Sequence, residues 1–403
     1  RFSVRHNYAH HNNESEWNPN FDFIYGESRA EDLLSRSHSF VSELQSVFND
    51  RTYNVLRFQI ADERRPRNGR ELRPALIVNL SDNQEIGYGG TFASFNNNLE
   101  ETKFELIDHL TLVRGNHTLK FGGGLLYTNV LNQFISRGSG DYRFNSLDEF
   151  EALQPSFFTR NIYLGGDIPL SKFDVLEGSL SIQDEWAVNR NLTATFGLRY
   201  DVGRFLDDPP RIIDVENAFG FPTGIAPNDN DNISPRIALA WDLNADGRSV
   251  VRAGAGYFYG RTPYILGGNV LQTDRPQATV NCGGSILDGD PDAPPPVTPY
   301  PGWSTSGWDN PRTCAGGGDQ SGVPAYTFWQ PDFQYPETFK ANLGFAQELF
   351  SGTQVSVDLL FSESTNLYTV RNINLRDPQF ELAGESGRRV FKPEGDFDPT
   401  TSG

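Results

Sequence analysis

The sequence has no methionine, only two cysteines and no long apolar run, and it is poor in basic residues. A transmembrane helix needs about 20 consecutive apolar residues, so the chain is not predicted to cross a membrane as a helix. There are 34 Lys and Arg against 52 Asp and Glu, which gives a formal net charge of −18 at pH 7. Because proteins that bind DNA or RNA need a clustered basic surface, this balance argues against a nucleic-acid partner.

Catalytic signatures are absent as well. The chain has no G-x-S-x-G elbow, no H-E-x-x-H pair and no phosphate-binding glycine loop. Asp108 and His109 are adjacent, so on a strand their side chains point to opposite faces and do not act together. We therefore expect a protein that is not an enzyme and that carries no cofactor.

Aromatic residues are abundant although the chain as a whole is hydrophilic. They make up 13% of the residues, while the mean hydropathy is −0.50. This combination is unusual for a packed globular core. A transmembrane β-barrel explains it, because alternate residues of each strand face lipid while the others face a wet lumen.

The main sequence pattern is a repeated hairpin. From Leu192 to Tyr200, every even-numbered residue is apolar and every odd-numbered residue is polar or glycine. Residues 180–186 alternate too, and residues 188–190 separate the two segments. Because side chains alternate between the two faces of a strand, this predicts two antiparallel strands joined by a tight turn. The same unit recurs around four other turns, at residues 49–50, 114–116, 244–247 and 351–352.

Long polar connections separate these hairpins, at residues 131–172, 203–232 and 261–336. Short turns at one end and long loops at the other are typical of an outer-membrane barrel. The predicted fold is all-β, a transmembrane antiparallel β-barrel with about eleven strands visible out of an expected 22 or so. Arg1 already lies in a strand pattern. We therefore expect residues 1–403 to be part of a barrel whose N-terminal plug and C-terminal strands lie outside this chain.

Tryptophan and tyrosine residues mark two levels of the predicted barrel. Trp186 and Trp241 stand just before tight turns, and Tyr200, Tyr257 and Tyr259 stand further along the partner strands. The predicted separation is about 20–25 Å along the barrel axis, which matches the height of an apolar band between two aromatic girdles. The alternative is that these residues belong to the core of a soluble sandwich or propeller. The one-sided long loops favour the barrel.

Three segments resemble TonB-dependent outer-membrane receptors, most closely the Oar-like subgroup with a carboxypeptidase-regulatory-like domain. Ser181–Trp186 followed by Leu192–Asp201 is similar to the Q-D-x-W…L-T-x-x-x-G-L-R-Y-[DE] hairpin of that family. Asn116–Gly123 is similar to its G-x-H-x-L-K-F-G-G strand. Ile233–Arg236 with Val251–Tyr259 resembles its S-P-R…R-x-G-x-G-x-F-Y hairpin.

This resemblance is densest over residues 101–364 and carries a function with it. It implies a receptor in which loops capture a scarce solute, a plug rearranges and a TonB-type energy-coupling protein drives passage. The residues of this sequence show neither a plug nor a TonB box. The coupling step is therefore implied by the resemblance alone.

Two cysteines fall in the longest connection. Cys282 and Cys314 fit a disulfide formed in an oxidising compartment, with two free thiols as the alternative. Such a bond would order the loop at 261–336. Three tryptophans of the same loop are candidates for lining a ligand mouth, or else pack the loop on itself; they are Trp303, Trp308 and Trp329.

Other candidate sites are weaker. One basic cluster is predicted to contact anionic lipopolysaccharide groups or to be simply solvated; it consists of Arg64, Arg65, Arg67, Arg70 and Arg73. Asp229 and Asp231 lie in an oxygen-rich loop that holds Ca²⁺ or is plain solvated loop. Asp242–Gly247 begins like an EF-hand loop, but Ala253 stands where the bidentate Glu is needed. His6 and His10 share a predicted lipid-side face, so no metal site is expected there.

Three functions are compatible with these features. The first is a TonB-dependent receptor that imports or exports a scarce solute, with outer-membrane lipid, lipopolysaccharide and a TonB-type protein as partners. The second is a surface structural or adhesion role, with other protein chains bound through the 261–336 loop and no active transport. The third is a passive pore or a barrel enzyme. The sequence does not identify the ligand.

Overall fold

The computed structural model describes most of the chain. The described residues are 1–15, 23–81, 84–91, 97–164, 170–271, 277–283, 295–296, 311–316, 325–350, 352–374, 378–382 and 388–390. They fall into two compact units, Arg1–Thr365 and Asn366–Gly403. Among them, no helix is long and apolar enough to cross a lipid bilayer.

Nearly all regular structure of the first unit is β-sheet. Its strands are β1 (Phe2–Ser15), β2 (Phe23–Tyr25), β3 (Glu31–Asn49), β4 (Thr52–Gly69), β5 (Ala75–Ser81), β6 (Gln84–Tyr88), β7 (Asn97–Arg114), β8 (His117–Gln133), β9 (Asp141–Phe144), β10 (Phe157–Tyr163), β11 (Ser171–Ala187), β12 (Leu192–Phe205), β13 (Asp229–Asp242), β14 (Ser249–Tyr259), β15 (Gln277–Cys282), β16 (Glu337–Phe350) and β17 (Thr353–Thr365). The helices are short: a 3₁₀ turn at Glu27–Arg29, α1 (Leu147–Glu151), α2 (Ile213–Phe219) and α3 (Tyr264–Leu271). The second unit contains a two-stranded hairpin of β18 (Phe380–Leu382) and β19 (Arg388–Val390).

The long strands form one sheet of eleven, in the order β1-β3-β4-β7-β8-β11-β12-β13-β14-β16-β17. Every neighbouring pair is antiparallel. The five predicted tight turns join consecutive strands of this sheet. Gly115 and Gly247 have φ of 58° and 76° in two of these turns, a conformation that glycine adopts without steric cost. The predicted all-β fold and its strand number are confirmed.

The register gives this sheet an apolar face and a polar face. Phe196 on β12 lies opposite Asp184 on β11 and Ile237 on β13. Every second residue of each strand, counted from these positions, therefore lies on the same face of the sheet. The aliphatic residues on this face, which we call the apolar face, are exposed: the exposed fractions include Leu180 66%, Leu198 48% and Leu359 64%. The opposite parity carries Ser, Thr, Gly and charged residues, and it forms what we call the polar face.

A second sheet, which we call the loop sheet, is built from the connections that join β1 to β3, β4 to β7, β8 to β11 and β14 to β16. Its strand order is β15-β10-β9-β5-β6-β2, and two of its pairings, β2 with β6 and β5 with β9, are parallel. It has an apolar core of its own, whose buried members include Leu76, Tyr142, Phe144, Phe158 and Val280. The sequence pattern predicts only long polar loops here and does not indicate this sheet.

The predicted disulfide is present and belongs to this core. Cys282 at the end of β15 is bonded to Cys314, and both residues are buried. Two arginines also fix the segment at 311–316. Arg160 Nη1 donates to the carbonyl oxygen of Pro311 at 3.2 Å, and Arg312 Nη2 donates to that of Tyr163 at 2.9 Å. Together these bonds attach part of the longest connection to β10 and β15.

Candidate functional site on the polar face

Two adjoining cavities lie on the polar face. The first has a volume of about 310 Å³ and follows β8, β11 and β12, and the second, of about 390 Å³, lies beside Thr262, Pro263 and Tyr264. They share Glu105, Leu126 and Arg261 as lining residues. Together they form a candidate path for a solute along the polar face.

Small residues create the first cavity. Gly122 and Gly124 on β8 lie in register with Ser181 and Ser179 on β11, and all four belong to the polar face. A Cβ atom added at Gly122 would lie 2.5 Å from the Ser181 hydroxyl oxygen, and one added at Gly124 would lie 2.8 Å from that of Ser179. The floor of the cavity is therefore backbone and hydroxyl groups, and larger side chains do not fit there without movement.

Charged side chains around the cavities are mostly paired. Arg199 donates to both carboxylate oxygens of Asp201, with the shortest distance 2.7 Å from Nη2. Arg261 Nε lies 3.3 Å from Glu177 Oε1, and the Tyr264 hydroxyl donates to the other oxygen of Glu177 at 3.0 Å. These bonds hold the charged groups in fixed positions, so the walls offer oriented donors and acceptors to a polar solute.

The predicted girdle residues have the expected orientation. Trp241 lies opposite both Leu192 on β12 and Val251 on β14. Tyr200 stands eight residues above Leu192, and Tyr257 stands six above Val251. At about 3.3 Å per residue and a tilt of about 40°, the levels are roughly 15–20 Å apart along the axis. Tyr259 also stands eight above Val251, so Tyr200 and Tyr259 lie about 20 Å from the Trp241 level, at the lower limit of the expected 20–25 Å. Tyr259 ends β14 and donates to Glu337 Oε2 at 2.5 Å, and Trp186 lies half-exposed, stacked on His117.

The predicted arginine cluster is divided between the two faces and is ion-paired. Arg64 follows the parity of the apolar face, while Arg65 and Arg67 follow that of the polar face. Each member has a carboxylate partner: Arg64 with Asp62, Arg65 with Glu63 and Glu101, Arg67 with Glu31, Arg70 with Glu27, and Arg73 with Glu71. These pairs do not form one free anion-binding surface, although each could still meet lipopolysaccharide singly.

The calcium candidates hold each other and the neighbouring backbone. Asp229 accepts hydrogen bonds from the backbone N–H of Asp231 at 3.4 Å and of Tyr335 at 2.7 Å. Within the part of the chain that the structure describes, no group of three or more His, Cys, Asp and Glu could hold a metal ion. His6 lies near His38, with 3.5 Å between Nε2 and Nδ1, on the apolar face.

Of the three loop tryptophans, Trp329 is described, while Trp303 and Trp308 lie outside the described residues. Trp329 is 9% exposed and meets the Phe333 ring edge-on, with 5.0 Å between centroids. Phe333 in turn packs against Tyr335 at 5.9 Å. These contacts favour a packing role for Trp329 within its own connection.

A salt bridge in the connection between β12 and β13 gives a pH-dependent prediction. The hydrogen bond from Arg211, and then that from the Thr223 backbone, lower the pKa of Glu216 on α2 from 4.5 to about 2. Because the folded value is depressed, the stabilisation is present above pH 4.5 and is lost as the pH falls towards 2. We expect pepsin cleavage within residues 206–228 of the full-length protein to rise over that interval. Glu216→Gln should be cleaved readily at every pH tested; cleavage that is identical in the two proteins would contradict the assignment.

Comparisons with known proteins agree with the fold. The family model of the outer membrane beta barrel domain matches residues 1–402. No match is found among curated proteins. The outer membrane transporter YddB from Escherichia coli is similar with a TM-score of 0.54 at 14% identity, over 90% of this chain and 38% of that one. A mutant of the ferric enterobactin receptor PfeA from Pseudomonas aeruginosa has a TM-score of 0.40 at 13% identity, over 83% and 35%. The E. coli ferric-catecholate import receptor Fiu, in its closed form, has 0.39 at 10%, over 92% and 44%.

These neighbours are longer proteins. The chain spans less than half the length of each of the three. At these identities, the likeness to YddB shows the fold alone.

Proposed function

We propose a solute-transport function for this chain, which belongs to the outer membrane β-barrel domain family. Its place is the outer membrane of a Gram-negative bacterium, and its apolar face meets lipid while its polar face lines the lumen. The long connections and the loop sheet then lie on the extracellular side. The observation that carries the proposal is the cavity on the polar face, floored by glycine and serine and walled by fixed charges.

The proposed mechanism is that of a TonB-dependent receptor. A solute first meets the extracellular connections, then moves along the polar face past the cavities, while a plug domain and a TonB-type protein supply the gate and the energy. Two features support this: the three family-like motifs at 116–123, 181–201 and 233–259, and the barrel fold shared with an outer-membrane transporter. The same motifs support the further proposal that the chain belongs to the Oar-like subgroup and is a transporter without enzymatic activity.

The loop sheet favours a second candidate function. A six-stranded sheet with its own apolar core and a disulfide is more structure than a flexible capture loop requires. A rigid extracellular sheet of this kind suits binding of another surface protein. In that case the chain would act in adhesion or surface assembly, without active transport.

Uptake in the native bacterium distinguishes the two. Cells with and without the gene grow on a complex medium, and mass spectrometry follows which solutes the medium loses, with and without a protonophore. If the protein transports a solute actively, wild-type cells should deplete at least one solute from the medium. That solute should remain in the medium when the gene is deleted and when the protonophore is present. If depletion is the same in all three cultures, active transport is wrong and the surface role gains support.

Adjacent glycines provide a matched test of the path. Gly122→Val introduces a side chain into the cavity against Ser181, so we expect uptake of the depleted solute to fall at least tenfold. Gly123→Val changes the next residue, on the lipid side, where the added Cβ lies 3.8 Å from Leu180, and uptake should stay within twofold. Surface amounts of both variants are measured by cell-surface labelling. Equal uptake by the two variants would show that the solute does not pass this floor.

A further inference from the structure

Two cations of the polar face stand on either side of a glycine. Arg236 on β13 lies opposite Gly256 on β14, and Gly256 lies opposite Lys340 on β16. All three share the parity of the polar face. Because glycine has no side chain, the aliphatic part of Arg236 lies over Gly256, where an added Cβ atom would be 2.7 Å from Arg236 Cγ.

One aromatic ring lies beneath both charges. Phe258 is the next polar-face residue of β14 after Gly256. The Arg236 Cζ atom is 4.4 Å from its ring centroid, and the Lys340 Nζ atom is 5.6 Å from it. A ring attracts a cation by about 0.5–1 kcal/mol at an exposed site, so it orients the two groups without neutralising them.

Neither cation has an acidic partner among the described residues. The neighbouring arginines of the cavity do have one, Arg199 in Asp201 and Arg261 in Glu177. No carboxylate oxygen of the described chain lies within 4.0 Å of Arg236 or Lys340, although the whole chain has a net charge of −18. Two like charges that converge on one ring repel each other, and an anion between them would remove that repulsion.

The sequence motifs also converge at this point. Arg236 ends the Ser-Pro-Arg motif, while Gly256 and Phe258 belong to the glycine-rich motif of the following strand. The sequence pattern predicts that these two segments belong to one hairpin. The strand register brings them together, because β13 and β14 form one hairpin.

We propose that Arg236 and Lys340 form an oxyanion-binding site on the lumen wall. It would take a carboxylate or phosphate group of the transported solute. The guanidinium offers two parallel N–H donors to such a group and the ammonium adds a third, and Phe258 contacts an adjacent planar apolar part of the ligand. The site rests on the proposed function only in that the solute must reach the polar face.

The test uses full-length protein in detergent and three probes of similar size. Isothermal titration calorimetry measures binding of phenyl phosphate, benzoate and the neutral control benzyl alcohol. We expect both anions to bind wild-type protein more tightly than benzyl alcohol, and the tighter one identifies the anionic group of the solute. Arg236→Gln and Lys340→Gln should each weaken anion binding at least tenfold, and Arg236→Lys, which keeps the charge but loses the fork, should weaken it less.

Arg252 supplies the matched control. It lies on the same face of β14, about 13 Å below Gly256, and it is exposed. Arg252→Gln removes the same charge, so it should change anion binding less than twofold. Equal losses in Arg236→Gln and Arg252→Gln would reduce the effect to general electrostatics and overturn the site, as would wild-type protein that binds the anions no better than benzyl alcohol. If energy-dependent uptake is observed together with such a result, the proposed transport function stands and only the proposed anion site is wrong.

Discussion

Replacement of Cys282 and Cys314 by serine is expected to release β15 and residues 311–316 from the loop sheet while the eleven-stranded sheet stays folded. The disulfide closes a segment with a sequence separation of 32. Chain entropy puts the contribution of such a bond at about 3–4 kcal/mol. Because β15 is an edge strand that pairs with β10 along its length, this loss falls mainly on one strand.

Hydrogen exchange of the full-length protein measures this effect. A loss of about 3–4 kcal/mol corresponds to exchange that is faster by roughly 10²–10³ at amides of β15 and β10. Amides of β12 and β13 serve as the internal reference and should not change. Wild-type protein treated with a reducing agent should reproduce the pattern of the double variant. Unchanged protection of β15 in both would show that the apolar core alone holds this strand.

The second large effect concerns the apolar face. Leu198→Arg places a charge on the outward side of β12, between Ile182 on β11 and Pro235 on β13. An arginine facing lipid costs about 2–4 kcal/mol at the membrane midplane and about 0–1 kcal/mol near the interfaces, and Leu198 lies between the midplane and the level of Tyr200, so the expected cost is about 1–3 kcal/mol. We therefore expect the free energy of unfolding to fall by that amount, as measured by denaturant titration of the full-length protein in phospholipid vesicles.

A substitution on the opposite face is the control for this prediction. Thr195→Arg lies on the polar face of the same strand, directly opposite Glu185, whose carboxylate can pair with the new charge. Its cost should be below about 1 kcal/mol, since surface ion pairs and lumen substitutions have small effects. Similar losses in the two variants would mean that the two faces of the sheet do not meet lipid and water as assigned.

The alternation of single residues was sufficient to predict the main sheet. Leu192–Tyr200 and its partners repeat with a period of two, and the period decides both the strand and the side on which each residue lies. The turns were equally local, because glycine and asparagine near a hairpin end specify a tight connection. The cysteine pair was predictable from the sequence, since the only two cysteines fall in one long connection without the spacing of a metal or redox site.

The spacing of the two aromatic levels and the ion pairing of the arginine cluster could be determined only from the strand register. Trp241 and Tyr257 are far apart in sequence, and their real separation depends on which residues lie opposite each other. Arg64 and Arg65 are neighbours in sequence but belong to opposite faces, and their acidic partners come from β4 itself and from β7. A list of residue types does not contain this information.

What the sequence determined by itself is therefore the local part of this protein: strands, faces and tight turns, each set by side-chain alternation over ten or so residues. Only the tertiary structure decided the loop sheet, the cavity floor at Gly122 and Gly124, and the meeting of Arg236 with Phe258 and Lys340. The loop sheet joins segments from different connections, such as β5 with β9 and β10 with β15, whereas the other two features depend on the register between neighbouring strands of the main sheet. These contacts depend on the order and register of the strands in the main sheet, which bring segments distant in sequence close together. No local periodicity of the sequence encodes that order.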